Sequence, residues 1–274
     1  MSTTPEPPVL RDRPVPDRLP ALGEGLPPLL RRLYAARGVT TPAELTYRLA
    51  ALPPPDTLPG LAEAAERLAE AIMADEPIMV VGDFDADGAT STALAVQALR
   101  DFGASRVDYR VPNRFEFGYG LTPELVEVVR GSEPRLILTV DNGISAHAGV
   151  AAAAAADIAV VVTDHHLPGK SLPAASAIVN PQLATEAFEG RSLAGVGVCF
   201  YLMLGLRQAL RARGWFETRR PEPPLVDRLD LVALGTVADV VGMDRVNRIL
   251  VEQGLRRIRA GEAAPGVTAL LEAA

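Results

Sequence analysis

The stretch that decides the fold reads Ile78-Met79-Val80-Val81-Gly82-Asp83-Phe84-Asp85-Ala86-Asp87-Gly88. Its first four residues are all apolar, which is typical of a strand that is buried on both faces of a parallel sheet. A glycine and three aspartates follow directly, so the strand ends in a turn rich in carboxylates. A helical pattern from Thr90 to Phe102 comes next. This order predicts a strand, an acidic turn and a helix.

Further apolar runs alternate with helical segments downstream. The later predicted strands are Leu136–Val140, Ile158–Val162 and Ala177–Val179, and the helices between them are Thr122–Arg130 and Ser145–Ala156. Such alternation is typical of βαβ units, in which helices cover both faces of the sheet. The predicted fold class is therefore α/β, with a doubly wound, mostly parallel sheet.

The segments on both sides of this region are predicted to be helical. Residues 1–20 contain several prolines and are expected to be a poorly ordered lead-in. Apolar residues then recur at helical spacing from Leu26 to Leu49, with Thr41-Pro42 as a helix start. Other helices are predicted at Leu61–Met73 and near residues 196–213, 225–238 and 245–259.

The composition suits a globular enzyme: 48% of the 274 residues are hydrophobic and 22% are charged. The net charge of −7 argues mildly against a nucleic-acid partner without excluding one, because carboxylates around metal ions would contribute to it. The single cysteine, Cys199, favours a reducing compartment. No signal peptide is visible, and the longest uncharged apolar-rich stretch, Leu193–Leu206, is too short to cross a bilayer. We expect a cytoplasmic protein with no membrane partner.

Polar residues with metal-binding chemistry follow three successive predicted strands. The first strand leads into Asp83, Asp85 and Asp87, the next into Asp141-Asn142-Gly143, and the third into Asp164-His165-His166. Because ligands bind beyond the carboxyl ends of parallel strands, these side chains should meet at one edge of the sheet. Crowded aspartates need cations to neutralise them, and carboxylate with imidazole suits Mn²⁺, with Mg²⁺ as the harder alternative. A pair of such ions would suit phosphodiester hydrolysis.

Three other motif interpretations and a structural one compete with this hypothesis. Asp83 to Gly88 matches the first half of an EF-hand loop, but its twelfth position is Leu94, where glutamate is required. Gly169-Lys170-Ser171 resembles the end of a P-loop whose first glycine is replaced by Asp164, and Gly195-x-Gly197 is better explained by tight helix packing. A single aspartate at a strand end is most often a helix N-cap. The joint occurrence at three strand ends is what favours a metal site.

The motifs themselves resemble those of the DHH phosphoesterase family. The stretch from Val80 to Gly88 looks like the family's first motif, Thr139–Ser145 the second, Asp164-His165-His166 the triplet that names the family, and Leu234–Val241 the fourth. Four motifs in this order are highly specific. Pro112–Glu116, Gly118-Tyr119-Gly120, Leu193–Gly197 and Asn247–Leu250 are closest to the bacterial exonuclease branch of the family.

The resemblance implies a role for individual residues. It makes Asp85, Asp87, Asp141, His165 and Asp239 ligands of two Mn²⁺ or Mg²⁺ ions, with Asp141 bridging them and Asp83 as an extra ligand or supporting group. Some family members have a histidine where this chain has Val81, which cannot ligate. The predicted catalytic residues are His166 and Asp83. Arg114, His166, Asn142 and Gly143 are the predicted phosphate or substrate contacts.

The activity that the resemblance implies is exonucleolytic, 5′ to 3′ cleavage of single-stranded DNA in repair and recombination. A single-strand-binding protein and a helicase are candidate partners. The alternatives are a phosphoesterase acting on oligoribonucleotides, cyclic dinucleotides or pyrophosphate, and a non-catalytic scaffold of the same fold.

The expected organisation is an N-terminal extension over residues 1–55, a catalytic DHH domain over 56–245 and the start of a helical linker over 246–274. Relatives of this kind carry a further DHH-associated domain that binds the substrate. The chain is therefore expected to be a fragment or a truncated product that binds metal while its processive activity is weak or lost.

Overall fold

The computed structural model describes residues 13–184 and 188–274. Residues 1–12 of the predicted lead-in lie outside this part of the chain. The chain divides into two compact units after Tyr47. The predicted boundaries after residues 55 and 245 remain predictions of functional organisation.

Over residues 13–47, the described part of the first unit contains one short helix, α1 (Pro28–Ala35), and a 3₁₀ turn at Pro42–Leu45. The continuous helical pattern predicted from Leu26 to Leu49 is thus broken into short pieces. Thr41 does start a helical turn, as predicted, because the Glu44 carboxylate accepts the Thr41 backbone N–H at 2.9 Å.

The second unit is built on a parallel five-stranded sheet, which confirms the predicted fold class. The strands are β1 (Ile78–Val81), β2 (Val107–Arg110), β3 (Leu136–Val140), β4 (Ala159–Thr163) and β5 (Ala177–Val179). Their order across the sheet is β2-β1-β3-β4-β5, and every pairing is parallel. Four of the five strands were predicted. The fifth, β2, is an edge strand that has only one buried residue, Val107, and so carries no apolar run.

Helices cover the sheet on both faces. They are α2 (Leu61–Met73), α3 (Ala86–Phe102), α4 (Arg114–Phe117), α5 (Pro123–Arg130), α6 (His147–Ala155), α7 (Gly195–Ala212), α8 (Trp215–Thr218), α9 (Leu229–Ala238), α10 (Arg245–Arg259) and α11 (Pro265–Ala273). Further 3₁₀ turns lie at Leu49–Ala51, Pro55–Thr57, Pro181–Leu183 and Leu225–Arg228. The helices predicted for this unit are present with end shifts of up to four residues, since α3 begins at Ala86 instead of Thr90 and α9 begins at Leu229 instead of residue 225.

Two hydrophobic clusters hold these layers together, one on each face of the sheet. On β1, Ile78 and Val80 belong to the larger cluster, which includes α2, α3 and α7, whereas Met79 and Val81 belong to the smaller one with α5 and α6. Alternate residues of a buried strand point to opposite faces, so β1 contributes to both clusters. This packing fixes the carboxyl ends of the strands, where the polar motifs begin.

Close packing of α3, α7 and α9 brings three helices to that same edge. A Cβ added at Gly235 on α9 would lie 2.2 Å from Thr90 Oγ1 and 2.9 Å from Val196 Cγ1. Only glycine allows this approach, because the space for a side chain is already occupied. The end of α9 is thereby held beside the start of α3 and α7. In the described part of the chain, no helix combines the length and apolarity needed to span a bilayer.

Candidate metal centre and active site

The sheet order places the acidic motifs at its topological switch point. The chain passes from β1 to β2 on one side and returns to β3 on the other side of β1, so the carboxyl ends of β1 and β3 lie next to each other with crossovers leaving in opposite directions. Such switch points form crevices in doubly wound sheets. Asp83, Asp85 and Asp87 follow β1 and Asp141 follows β3, so both acidic turns open into this crevice.

His165 lies at the centre of the inner group of ligands. Its Nε2 atom is 3.2 Å from Asp141 Oδ1, 3.7 Å from Asp239 Oδ2 and 3.8 Å from Asp87 Oδ2. The four residues come from the ends of β3, β4 and α9 and the start of α3. The structure therefore brings together four predicted ligands that are up to 152 positions apart in the sequence (Asp87 and Asp239).

A second group of potential ligands shares Asp141 with the first. Asp83, Asp85 and Asp141 offer oxygen atoms within 4.8 Å of one another, and so do Asp141, His165 and His166 with their oxygen and nitrogen atoms. The third such group is Asp87, His165 and Asp239. Asp141 thus belongs to two of these three groups and lies 3.2 Å from His165 of the third, while its role as a bridging ligand stays a prediction.

Backbone geometry fixes two buried acids of the centre, Asp87 and Asp141. Asp141 adopts a left-handed conformation with φ of +63°, which is uncommon outside glycine and occurs at strained functional sites. Gly195, the first residue of α7, lies so close that an added Cβ would be 2.5 Å from Asp141 Oδ1. The N–H groups of Gly195 and Val196 donate to the two oxygens of Asp87 at 2.6 and 2.8 Å. The N-terminus of α7 therefore positions both carboxylates.

The electrostatics of this group are unfavourable without cations. Burial raises the pKa of Asp87 to about 6 and the pKa of Asp141 to about 7. Burial favours the neutral form of His165, but the contact with Asp141 and the charges of Asp87 and Asp239 outweigh it and raise the His165 pKa to about 9. Near neutral pH, the site shifts Asp87, Asp141 and His165 towards their protonated forms, so the ionised carboxylates are destabilised unless a cation lies beside them.

Two buried atoms at the centre lack a hydrogen bond, which tests whether cations fit. Among the described residues, neither Asp141 Oδ1 nor His165 Nε2 has a hydrogen-bond partner, although the two atoms approach to 3.2 Å. Buried polar atoms are almost always paired, so two unpaired buried atoms this close to each other fit a shared cation. The donors are carboxylate oxygens and an imidazole nitrogen, which suit Mn²⁺ and Mg²⁺. The residues therefore fit a pair of divalent cations.

His166 is held beside this group by a buried aspartate. Its Nδ1 lies 2.7 Å from Asp164 Oδ1, and its side chain is half exposed. Burial would raise the pKa of Asp164, but hydrogen bonds from His166 and from the Ile144 N–H outweigh that effect and lower it. The hydrogen bond to Asp164 in turn raises the pKa of His166. Because Nδ1 is occupied by Asp164, Nε2 is the ring atom left for a substrate.

Arg114 lies at the open side of the second group. Its guanidinium donates to Asp83 Oδ2 at 3.0 Å and stacks over the Phe84 ring, 3.7 Å from the centroid. The centroid of the Tyr119 ring lies 5.0 Å from the same guanidinium. Asp83 is thus held by Arg114 and by the Phe84 N–H at 2.8 Å, so the predicted supporting group is part of a charged pair. A guanidinium has several N–H donors, so others remain for another ligand.

The remaining site predictions fall elsewhere. Asn142 is fully buried, and its amide donates to the carbonyls of Val81 and Val140 at 3.1 and 2.9 Å, which ties β1 to β3. Gly143 has φ of +116° and closes the same turn. The predicted substrate contacts of both residues stay predictions that this geometry does not support. Val81 is buried in the smaller hydrophobic cluster, so position 81 itself supplies no ligand.

Two roles were missed from the sequence. The sequence identifies Asp164 only as part of the triplet, whereas in the structure its carboxylate orients His166. Tyr119 was only part of a matching stretch, but its hydroxyl lies 3.2 Å from the Asp141 carbonyl oxygen and 3.4 Å from His166 Nδ1. An acid two positions before a histidine was the only available signal for Asp164. No local signal pointed to Tyr119, because its partners follow other strands.

The EF-hand and P-loop interpretations do not fit the structure, whereas the N-cap interpretation holds for Asp85. Asp85 does cap α3, since its Oδ1 accepts the Gly88 N–H at 2.9 Å, but a strand precedes the turn and Leu94 is buried inside the helix, so no EF-hand forms. Gly169-Lys170-Ser171 is not followed by a helix. A cleft of about 980 Å³ lies at the opposite edge of the sheet, lined by Glu76, Arg106 and Arg135 among others. It holds none of the three ligand groups.

Comparisons with known proteins agree with this geometry. The family model described as "DHH family, N-terminal domain" matches residues 77–236. The single-stranded-DNA-specific exonuclease RecJ of Escherichia coli (strain K12) is 57% identical over 266 residues, which cover 97% of this chain and 46% of that protein. The chain thus spans about half the length of the curated relatives that it matches.

Two solved structures show the same fold. A crystal structure of exonuclease RecJ bound to manganese is 40% identical with a TM-score of 0.68, covering 79% of this chain and 52% of that one. A crystal structure of RecJ from Thermus thermophilus in complex with Mn²⁺ is 37% identical with a TM-score of 0.71, covering 88% of this chain and 32% of that one.

Proposed function

This chain belongs to the DHH family, and on that premise we propose that it is the catalytic part of a metal-dependent exonuclease acting on single-stranded DNA. The observation that carries the proposal is the position of Asp141 between two groups of potential ligands. The 57% identity to the exonuclease from Escherichia coli supports the substrate class. Cleavage from 5′ to 3′, a role in repair or recombination, and recruitment by a single-strand-binding protein or a helicase are part of the same proposal.

The chain would hold two divalent ions, with Mn²⁺ or Mg²⁺ as the candidates. Asp83, Asp85 and Asp141 would hold one ion, and Asp87, Asp141, His165 and Asp239 the other. When bound, such ions supply a lowered pKa for a water nucleophile and stabilisation of charge on the phosphate. The raised pKa values of Asp87 and Asp141 support this assignment, because ligation would neutralise charges that burial disfavours.

His166 is our candidate for the proton donor to the leaving oxygen. Asp164 holds Nδ1, so Nε2 is the atom that can reach a substrate. The raised pKa of His166 favours a ring that carries a proton near neutral pH, as a general acid requires. Tyr119 restricts the same ring from the side, with its hydroxyl 3.4 Å from Nδ1.

Arg114 is our candidate for a phosphate contact. A guanidinium that is fixed flat by Phe84 and paired with Asp83 loses little freedom on binding, and its free donors match phosphate oxygens. The Asp83 charge keeps Arg114 at the ion-binding edge. Asp83 therefore supports the site whether or not it ligates an ion.

The proposal is tested by a cleavage assay in Mn²⁺ with end-labelled single-stranded DNA, duplex DNA, short RNA and pyrophosphate. We expect cleavage of single-stranded DNA alone, lost in Asp141→Asn and retained in Asp108→Asn, which alters an exposed aspartate of β2. Cleavage of short RNA or pyrophosphate alone would select a small-substrate phosphoesterase instead. Metal binding without cleavage of any substrate would contradict the proposed activity of this chain.

A further inference from the structure

Exposed aromatic side chains are concentrated beside the metal centre. In the described part of the chain, four aromatic residues are counted as exposed: Phe84, Tyr109, Phe115 and Tyr119. Three of them lie in the turns that follow β1 and β2, and we call Phe84, Phe115 and Tyr119 the rim aromatics. Phe115 is fully exposed, so its ring contributes nothing to the core. Grouped exposed apolar side chains usually mark a binding surface.

Two of the rim aromatics, Phe84 and Tyr119, form with Arg114 a continuous series that leads to the catalytic edge. The Phe84 ring stacks on the Arg114 guanidinium, Arg114 lies 5.0 Å from the Tyr119 ring centroid, and the Tyr119 ring lies 6.0 Å from the ring of His166. Phe115 follows Arg114 directly on α4. A strand that passed from His166 over Tyr119 and Arg114 would therefore reach Phe84, and Phe115 is next to Arg114 in the sequence.

The alternation of flat rings with a guanidinium fits the chemistry of an unpaired nucleobase. Base-aromatic stacking contributes strongly to single-strand binding and tolerates any base, because each base has a π-face. Arg114 adds a positive charge that matches the backbone in a chain whose net charge is −7. Inside a duplex, both faces of a base are already covered by neighbouring bases. A stacking surface at this place would therefore select unpaired strands.

We propose that Phe84 and Phe115 form a base-stacking site that makes this edge specific for single-stranded nucleic acid. The inference rests on the proposed nuclease function and adds the residues that recognise the unpaired strand. It commits to nucleobases as the occupant. If these rings instead bound a protein partner, the affinity for a strand would not depend on whether the strand carries bases.

The test measures binding of the full chain, with Ca²⁺ in place of Mn²⁺, to a fluorescent octathymidine and to an abasic octamer with the same phosphates. Phe115→Leu and Phe84→Leu retain apolar bulk but remove a ring. We expect each to weaken octathymidine binding about 5-fold or more and to bring the ratio of the two affinities towards one. Phe115→Trp should restore the ratio. Leu172→Ala, which removes an exposed apolar side chain outside the rim, is the matched control.

The outcomes separate this inference from the proposed function. A chain that cleaves single-stranded DNA in Mn²⁺, yet shows the wild-type affinity ratio in both leucine variants, overturns the inference alone. A chain that prefers octathymidine through these rings but cleaves no DNA overturns the proposed function alone. A chain that neither binds nor cleaves single-stranded DNA overturns both.

Discussion

Addition of Mn²⁺ to the metal-free protein should stabilise it much more at pH 8.0 than at pH 5.5. The folded chain raises the pKa of Asp87 to about 6 and that of Asp141 to about 7, whereas the ordinary value is 3.8. Between pH 4 and pH 7 the folded state therefore binds more protons than the unfolded state, and the stability of the metal-free chain falls as pH rises. Ionisation of Asp87 and Asp141 therefore lowers the stability of the folded chain relative to the unfolded chain by about 3 and about 4 kcal/mol respectively.

His165 contributes in the same direction. Its raised pKa of about 9 gives stabilisation that is present below pH 6.5 and is lost as pH rises through 9. At high pH, Mn²⁺ binds to groups that have already lost their protons. At low pH it must first displace those protons. At pH 5.5, competition from the protons on Asp141 and Asp87 together weakens the apparent affinity for Mn²⁺ by about 100-fold. At pH 8.0 both carboxylates are ionised, so proton competition at these two groups hardly changes the affinity for Mn²⁺.

A 100-fold difference in affinity corresponds to about 2.7 kcal/mol. For a domain of this size the Mn²⁺-induced rise in Tm should thus be smaller at pH 5.5 by about 5–10 °C. Differential scanning fluorimetry with and without Mn²⁺ at both pH values measures this. Asp141→Asn should raise the Tm of the metal-free chain at pH 8.0 and lose the response to Mn²⁺, whereas Asp108→Asn should behave like wild type. Equal Mn²⁺ responses at the two pH values would refute the reasoning.

Three further substitutions test how the site is built. Gly195→Ala forces a Cβ to within 2.5 Å of Asp141 Oδ1, so we expect Mn²⁺ affinity by isothermal titration calorimetry to fall about 10-fold or more, and unchanged affinity would mean that α7 does not position Asp141. Asp164→Asn should lower kcat on single-stranded DNA at least 10-fold while Mn²⁺ affinity changes little, because His166 loses the charged hydrogen-bond acceptor that raises its pKa; parallel losses of both would instead indicate general unfolding. Gly254→Ala places a Cβ 2.1 Å from the Leu229 carbonyl oxygen and should destabilise the fold by about 1–3 kcal/mol in urea titration, whereas Gly266→Ala, with open space around it, should not; a neutral Gly254→Ala would contradict the tight packing of α10 on α9.

Strands buried on both faces could be predicted because their composition alone identifies them. β1 and β3 read as uninterrupted apolar runs, whereas β2 exposes Asp108, Tyr109 and Arg110 at the edge of the sheet and has no such pattern. The left-handed residue Asp141 gave no signal either, because aspartate is compatible with many turn conformations. The pattern of apolar residues thus indicates how buried a strand is, and a mostly exposed edge strand cannot be recognised from it.

Those residues of the candidate site that directly follow strands could be predicted from the sequence. Aspartates after β1 and β3 and a histidine after β4 must converge in a parallel sheet, so their meeting followed from the fold. Asp239 comes from the end of a helix, and only the family resemblance identified it as a ligand. The role of Gly195 depends on how α7 docks against the sheet, which no local pattern encodes.

The most direct test of the paired-cation account is a crystal structure of this chain grown with Mn²⁺ and measured for anomalous scattering. We expect two peaks at the carboxyl edge of the sheet, both in contact with Asp141, one near Asp83 and Asp85 and the other near His165 and Asp239. Manganese that is absent from this edge, or a single peak that does not touch Asp141, would contradict the account.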